Sequence, residues 1–448
     1  MKTVPWRLRA PPPRENLWIG RVQSGLRRVG AGCTVGFPPG SGINRPAPTS
    51  PPMHRTKLFP GRTSARLVFR SLVPFCFSLM SLIPVRAAES THLFFVGTYA
   101  RAAGQGIYAL QLDGTTGALT APQVAAEAVT PSFLALHPNG HVLYAIRELG
   151  TLNGKPAGAV SAFAIDTAAG RLSLLNQQPS GTISLTHLAA DATGRSLVAV
   201  SYGAGQVVAF PLEADGRIGA RTTFIQHEGP LGPNRARQDQ THAHSVTISP
   251  DNRFALVADL GLDRVFSYRL DAARALLVPN DPAFITITPG AGPRHSKFSV
   301  DGRYFYVLDE IDGSVTACAY DTARGTGTPF QHISTLPAGF VVQDADRAAE
   351  IRVHPNGKFV YASNRGHDSI AVFAIAADTG RLSLVEIVPA GGKAPRNFAL
   401  SPDGAWLVCG HQDSNTLAVF RVDATTGRLT RTGGTVSVPS PVCVLFVN

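Results

Sequence analysis

An eighteen-residue frame recurs six times along this chain, and no other feature narrows the possible folds as far. The segments "PSFLALHPNGHVLYAIRE" (131–148), "LTHLAADATGRSLVAVSY" (185–202) and "AHSVTISPDNRFALVADL" (243–260) align without gaps. So do "PRHSKFSVDGRYFYVLDE" (293–310), "AAEIRVHPNGKFVYASNR" (348–365) and "PRNFALSPDGAWLVCGHQ" (395–412). Each is an alternating apolar run, an Asn-Gly or Asp-Gly type turn, and a second alternating run. That pattern predicts an antiparallel hairpin whose two-residue turn supplies positive φ angles. A third alternating run, a Thr-Gly-Arg-Leu turn and a fourth run follow, as in "SIAVFAIAADTGRLSLVEIV" (369–388) and "TLAVFRVDATTGRLTRTGGTV" (416–436).

Four strands per unit, with turn positions 47 to 58 residues apart, describe propeller blades. No 3.6-residue apolar period supports a helical solenoid. The chain ends supply a seventh unit. "HLFFVGTYA" (92–100) matches the second strand of the frame but lacks a first, and the C-terminal "PSPVCVLFVN" (439–448) resembles one. The expected fold is all-β: a seven-bladed β-propeller of four-stranded antiparallel blades over residues 89–448, its ring closed by the C-terminal strand. Closure leaves no sheet edge open to aggregation.

The formal charge of +11 suggests a basic protein, yet it is carried by the leader. Residues 1–88 hold 14 of the 41 Lys+Arg and a single acid, Glu15, leaving 27 basic against 29 acidic side chains in 89–448. The body has no nucleic-acid footprint by charge. Residues 1–60 are Pro-rich without apolar period and read as a disordered or mis-started leader. Residues 61–88 read as an export signal: Arg62, Arg66 and Arg70, then the apolar "SLVPFCFSLMSLIPV" (71–85), then small residues for cleavage after Ala87 or Ala88, with Met53 as the start. The apolar run is shorter than the ~20 residues of a spanning helix and contains Pro74, so stable membrane insertion is not expected. The expected location is periplasmic or secreted. The remaining cysteines, Cys318, Cys409 and Cys443, lie in apolar strands without zinc spacing and read as buried free thiols.

The repeats allow positions to be compared within one chain. The first strands begin with Ser132, Thr186, His244, Arg294, Ala349 and Arg396; the second strands end with Tyr99, Glu148, Tyr202, Leu260, Glu310, Arg365 and Gln412. Both columns fall at one mouth of the ring, where residues from successive blades converge. His244, Arg294, Glu310 and Arg365, from three consecutive blades, form the candidate catalytic set. A solvated mouth is expected, at which substitutions barely alter thermal stability. The plain alternative is that Arg294 and Glu310 only cap a hairpin as an ion pair; a structural ring would then favour one residue type in every blade. His242 and His244 at i, i+2 invite a metal, but the aligned blades offer no third ligand and none is assigned. His137 and His354 precede turn prolines and are expected at the surface. His242, His295, Lys393 and Arg396 are further candidates for substrate contact.

The motifs "QHEGPLGPNRARQDQTHAHSV" (226–246), "ADLGLDRVFSYRLD" (258–271), "GPRHSKFSVDGRYFYVLDE" (292–310), "AAEIRVHPNGKFVYASNRGHDSIAVF" (348–373), "GGKAPRNFALSPDG" (391–404) and "VPSPVCVLF" (438–446) resemble the lactonase-type seven-bladed propellers. These are the bacterial 6-phosphogluconolactonase family, related to the fungal carboxy-muconate cycloisomerase. The resemblance covers the body and implies a lactone site without metal or organic cofactor, with the relative's catalytic set falling on His244, Arg294, Glu310 and Arg365. It implies hydrolysis of 6-phospho-D-glucono-1,5-lactone or a related unphosphorylated lactone to the open acid. An export signal favours the unphosphorylated or differently charged kind. The alternatives are a muconate-type lactonizing cycloisomerase and a non-catalytic exported binding propeller. Either His244 or Glu310 could take the proton from water, with Glu310 preferred as base or orienter and His244 as shuttle.

Overall fold

The computed structural model describes residues 91–148 and 158–447, with the backbone of two short paired strands at Thr151–Leu152 and Lys155–Pro156. The leader lies outside the described residues. Seven four-stranded antiparallel sheets follow one another. Blade 1 is built from both ends of the described residues: Pro441–Phe446 is innermost, followed by Thr91–Thr98, Gly106–Asp113 and Gln123–Glu127. Phe94 pairs with Phe446 and Val96 with Val444, so the C-terminal strand closes the ring. Blades 2 to 7 begin at Leu134, Leu185, Ala243, Pro293, Arg347 and Pro395. Their first strands contact one another in succession around the axis. Among the described residues no helix is long and apolar enough to cross a membrane.

The core lies between blades. Val198, Val200 and Val207 of blade 3 pack on Val246 and Val257 of blade 4; Tyr306 and Leu308 of blade 5 pack on Ile351 and Val360 of blade 6. Three of the interfaces also carry a tyrosine tether. The hydroxyls of Tyr144, Tyr306 and Tyr361 donate to the carbonyls of Gly216, Gly380 and Gly427 in the following blade, each at 2.9 Å. At Gly380 and Gly427 this accounts for the glycine of the Thr-Gly-Arg-Leu turn. Gly380 has φ +66°, and a Cβ there would stand 2.3 Å from the Tyr304 ring of the preceding blade. Glycine supplies both the turn and the space.

The first-hairpin turns differ from expectation. They are four-residue loops, with the third loop residue alone at positive φ. In blade 5 the Gly302 amide donates to Ser299, Ser299 donates to Tyr304, and Asp301 accepts from the Ser299 hydroxyl. A type I turn followed by one left-handed residue produces this pattern. His354 and His137 use the equivalent place for inter-blade bonds, their Nε2 atoms meeting the carbonyls of Gly404 (3.0 Å) and Gly194 (3.1 Å). His354 is buried, not at the surface. The three cysteines are free and buried.

Candidate active site

One irregularity, repeated in five blades, aims the site. In blades 3 to 7 the pairing register slips where the first strand begins, so one residue is extra: Thr186, His244, Arg294, the Ala349–Glu350 step, and Arg396. A β-bulge turns its extra side chain out of the alternation of the sheet. These are the positions that vary between blades. The bulge also breaks the i, i+2 relation between His242 and His244 on which a shared metal face depended.

Glu310 is the hub. Its Oε2 accepts from Arg294 Nε at 2.9 Å and lies 3.0 Å from Arg365 Nη2, while Oε1 accepts from Arg237 Nη2. His244 Nε2 stands 3.8 Å from Glu310 Oε2. Glu310, His244 and Arg294 are only 2–3% exposed, so these three are buried rather than at the solvated rim expected; Glu310 and His244 form a floor, and Arg294 is bonded to Glu310 without lining the cavity above. Burial alone would raise the Glu310 pKa, but Arg365, Arg294, His244 and Arg237 hold it well below the usual carboxylate range. Burial, reinforced by Arg294, pushes the His244 imidazole well below 6.5, so it is neutral at physiological pH. His244 Nδ1 is buried without a hydrogen-bond partner. Burial pushes the Arg365 guanidinium down to about 9, leaving it charged at neutral pH.

Above this floor lies a cavity of ≈ 210 Å³ lined by Glu148, Thr186, Tyr202, Arg237, His244, Glu310, Arg347, Arg365 and Arg396. Arg396 donates to the Tyr99 hydroxyl at 2.9 Å. Tyr99 in turn bonds Glu148, which also accepts from the Ser132 hydroxyl. His295 sits one layer deeper, 5.3 Å from the His244 ring and with its Nδ1 3.2 Å from Glu350. His242 faces away: its ring stacks on Tyr202, and its nitrogens meet the Tyr202 carbonyl and Asp239. Lys393 is exposed on the loop before blade 7 and does not line the cavity.

Arg237 and Arg347 were not among the sequence candidates. Comparison of repeats could not find them, because Arg237 lies within, and Arg347 directly after, the two connections that depart from the repeat. Residues 227–242 (sixteen) and 335–346 (twelve) join blades that elsewhere are linked by three to six. The first connection serves the blade whose second strand ends in apolar Leu260. There Gln238 donates to the Leu260 carbonyl at 2.9 Å, and Arg237 fills the mouth position that Leu260 cannot. Loop length was the available signal.

A cation-rich pocket with a neutral histidine against an ionised carboxylate has the groups to stabilise developing oxyanion charge. Comparison with known proteins gives the family. Residues 93–446 match the family described as lactonase, 7-bladed beta-propeller. A 6-phosphogluconolactonase of Bacillus subtilis is 35% identical over 357 residues, 80% of this chain and 99% of that protein. One from Formosa agariphila is 34% identical over 311 residues, 68% and 85% of the two chains. The structure of a periplasmic gluconolactonase from Pseudomonas aeruginosa matches with TM-score 0.74 and 32% identity over 80% of this chain and 99% of that one. This chain belongs to the seven-bladed β-propeller lactonase family.

Proposed function

We propose that the protein is a 6-phosphogluconolactonase-like lactonase opening a sugar-acid lactone at the cavity over Glu310, with His244 as the proton-transfer group. The observation that carries this reading is the joint placement of neutral His244, ionised Glu310 and the open face of Arg365 on one cavity wall. The buried Nδ1 leaves Nε2, the nitrogen nearer Glu310, as the basic position. A water on Nε2 gives up its proton as its oxygen attacks the lactone carbonyl carbon. The imidazolium that forms is stabilised by the Glu310 carboxylate, and the carbonyl oxygen, now negative, is met by a guanidinium. Arg365 bonds Glu310 and the Ala348 carbonyl through Nη2, leaving further N–H donors of its fork for that oxygen. The ring C–O bond then breaks, and His244 returns the proton to the leaving ring oxygen. Glu310, held by three arginines, is too weak a base to begin the reaction and acts as counter-ion and anchor.

The test is acid release from glucono-δ-lactone and its 6-phosphate by purified protein, with spontaneous hydrolysis subtracted. His244→Ala should lower turnover by roughly 10²–10⁴-fold, the worth of a lost acid–base group. Turnover by this variant at the parental rate would dismiss the assignment. The order of basic, apolar and small residues in 62–88 further supports export from a Met53 start, with the mature protein beginning at Ala88 or Glu89. N-terminal sequencing of the processed protein decides this, and a retained Arg62–Arg70 segment would refute it.

A further inference from the structure

The two long connections that supply Arg237 and Arg347 also enclose a second cavity, of ≈ 270 Å³, outside the catalytic one. Arg237 and Arg347 line both spaces. Each alone is smaller than the roughly 300 Å³ at which ligand pockets usually begin, and the two adjoin at these shared arginines. Their charge differs. The catalytic cavity has four arginines against Glu148 and Glu310, whereas the outer one has the two shared arginines against Asp312, Asp344 and Asp346. Much of that acidity is already engaged: Asp312 bonds the Ser314 hydroxyl and His332, and Asp346 accepts from the Gln343 amide. Asp344, the side-chain amide of Asn234 and the Oε1 of Gln343, whose Nε2 already donates to the Val341 carbonyl, offer hydrogen-bonding capacity, beside apolar Ile311 and Val342. Phe340 and Val341, which precede Val342 in the same connection, are exposed as well.

We propose that this outer cavity is a subsite for an uncharged, polyhydroxylated substituent, so that the preferred substrate is an aldonolactone bearing a second sugar ring. The proposal rests on the lactonase reading for the reacting end alone. Neutral hydroxyls match amide and carboxylate partners, while apolar side chains take the faces of a sugar ring. A phosphate placed there would face a net acidic lining, and would be better placed near Arg396 in the inner cavity. Binding energy collected away from the lactone carbonyl can be expressed at the reacting centre, raising kcat as well as lowering KM.

The experiment compares kcat/KM for glucono-δ-lactone with that for cellobiono- and melibiono-δ-lactone, which carry a glycosyl group on O4 and O6. Calorimetric binding of gluconate, cellobionate and melibionate accompanies it. At least one glycosylated lactone should be favoured about 10- to 100-fold, the worth of two or three added hydrogen bonds. Gln343→Ala and Asp344→Ala, on an exposed loop, should each lower kcat/KM for that lactone several-fold more than for gluconolactone. Hydrolysis with no preference, or equal losses on both substrates, overturns the subsite and leaves the lactonase reading standing. Tighter binding of a glycosylated acid, abolished by the same variants but without any lactone turnover, upholds the subsite and overturns the lactonase reading.

Discussion

Glu148 in blade 2 and Glu310 in blade 5 occupy the same place in the repeat, yet the ring treats them differently. Each ends the second strand, and each accepts a cross-hairpin bond from the residue that opens the first. In blade 5 that donor is Arg294, at 2.9 Å; in blade 2 it is the Ser132 hydroxyl, at 2.5 Å. The fold therefore decides that the two positions meet, and residue choice decides what the meeting does. Glu310 also receives Arg365 from blade 6 and Arg237 from the long connection, whereas Glu148 receives the Tyr99 hydroxyl, backed by Arg396. One side of the cavity is an ion-paired anchor beside a histidine, and the other is a polar wall. In the proposed reaction, proton transfer falls to the first side and substrate contact to the second.

The largest test of this contrast is a matched pair of substitutions. Glu310→Gln leaves three guanidinium groups without their shared counter-charge and removes the stabiliser of His244 imidazolium. It should cut kcat/KM by about 100-fold or more. Because the group is buried, it should also cost about 3–5 kcal/mol of stability. Glu148→Gln preserves a partner for Ser132 and Tyr99 and should cost less than about tenfold in rate, chiefly through KM. Initial rates and denaturant unfolding of both variants measure it, and equal losses in the two would erase the distinction between the walls.

Arg237 sharpens the same contrast. Arg237→Ala leaves Glu310 with Arg294 and Arg365, so a rate loss of about tenfold is expected, with the site still assembled. Since Arg237 acts through Glu310, its effect should largely vanish in the Glu310→Gln background, giving a coupling of about 1 kcal/mol or more in a double-mutant cycle. Independent, additive losses would show that Arg237 meets the substrate rather than the carboxylate.

The pH profile is a gentler probe. In the proposed reaction His244 begins unprotonated, and burial with Arg294 holds its pKa well below 6.5. Lowering the pH from 8 to 6.5 should therefore leave kcat/KM nearly flat, because the base is already neutral throughout. Glu310 is held well below the usual carboxylate range and stays ionised over the same interval. An acid limb centred at or above 6.5 would mean that the resting histidine carries a proton, reversing its first role.

Much of this was legible in the sequence, for a physical reason. Alternation, turn glycines and unit spacing repeat because every blade must bury two faces and pass the chain on through the same turns. Blade number and the closing C-terminal strand followed from that repetition. His244, Arg294, Glu310 and Arg365 stood out because they break the repeat at fixed places. Burial of the site was not legible, since polar residues at strand ends ordinarily meet water. The bulges were not legible either, because a one-residue register slip leaves the alignment of blades intact. Arg237 was hidden because its loop has no counterpart in other blades to be compared with.

Lys393 marks where the site ends. It sits in the aligned frame beside Arg396, but Arg396 is carried inward by its bulge while Lys393 remains exposed on the preceding loop. An exposed ammonium beyond the cavity lining can act on an anionic substrate only through the field it adds at the mouth, and that field is screened over about 8–10 Å at ordinary salt. Lys393→Ala should therefore reduce kcat/KM for the 6-phosphorylated lactone by less than about threefold at low ionic strength. The difference should disappear near 0.5 M salt and be absent for uncharged gluconolactone at any salt. A loss of tenfold that survives high salt would place the Lys393 ammonium in contact with the substrate, and would move the boundary of the polar wall outward from Arg396 to the loop before blade 7.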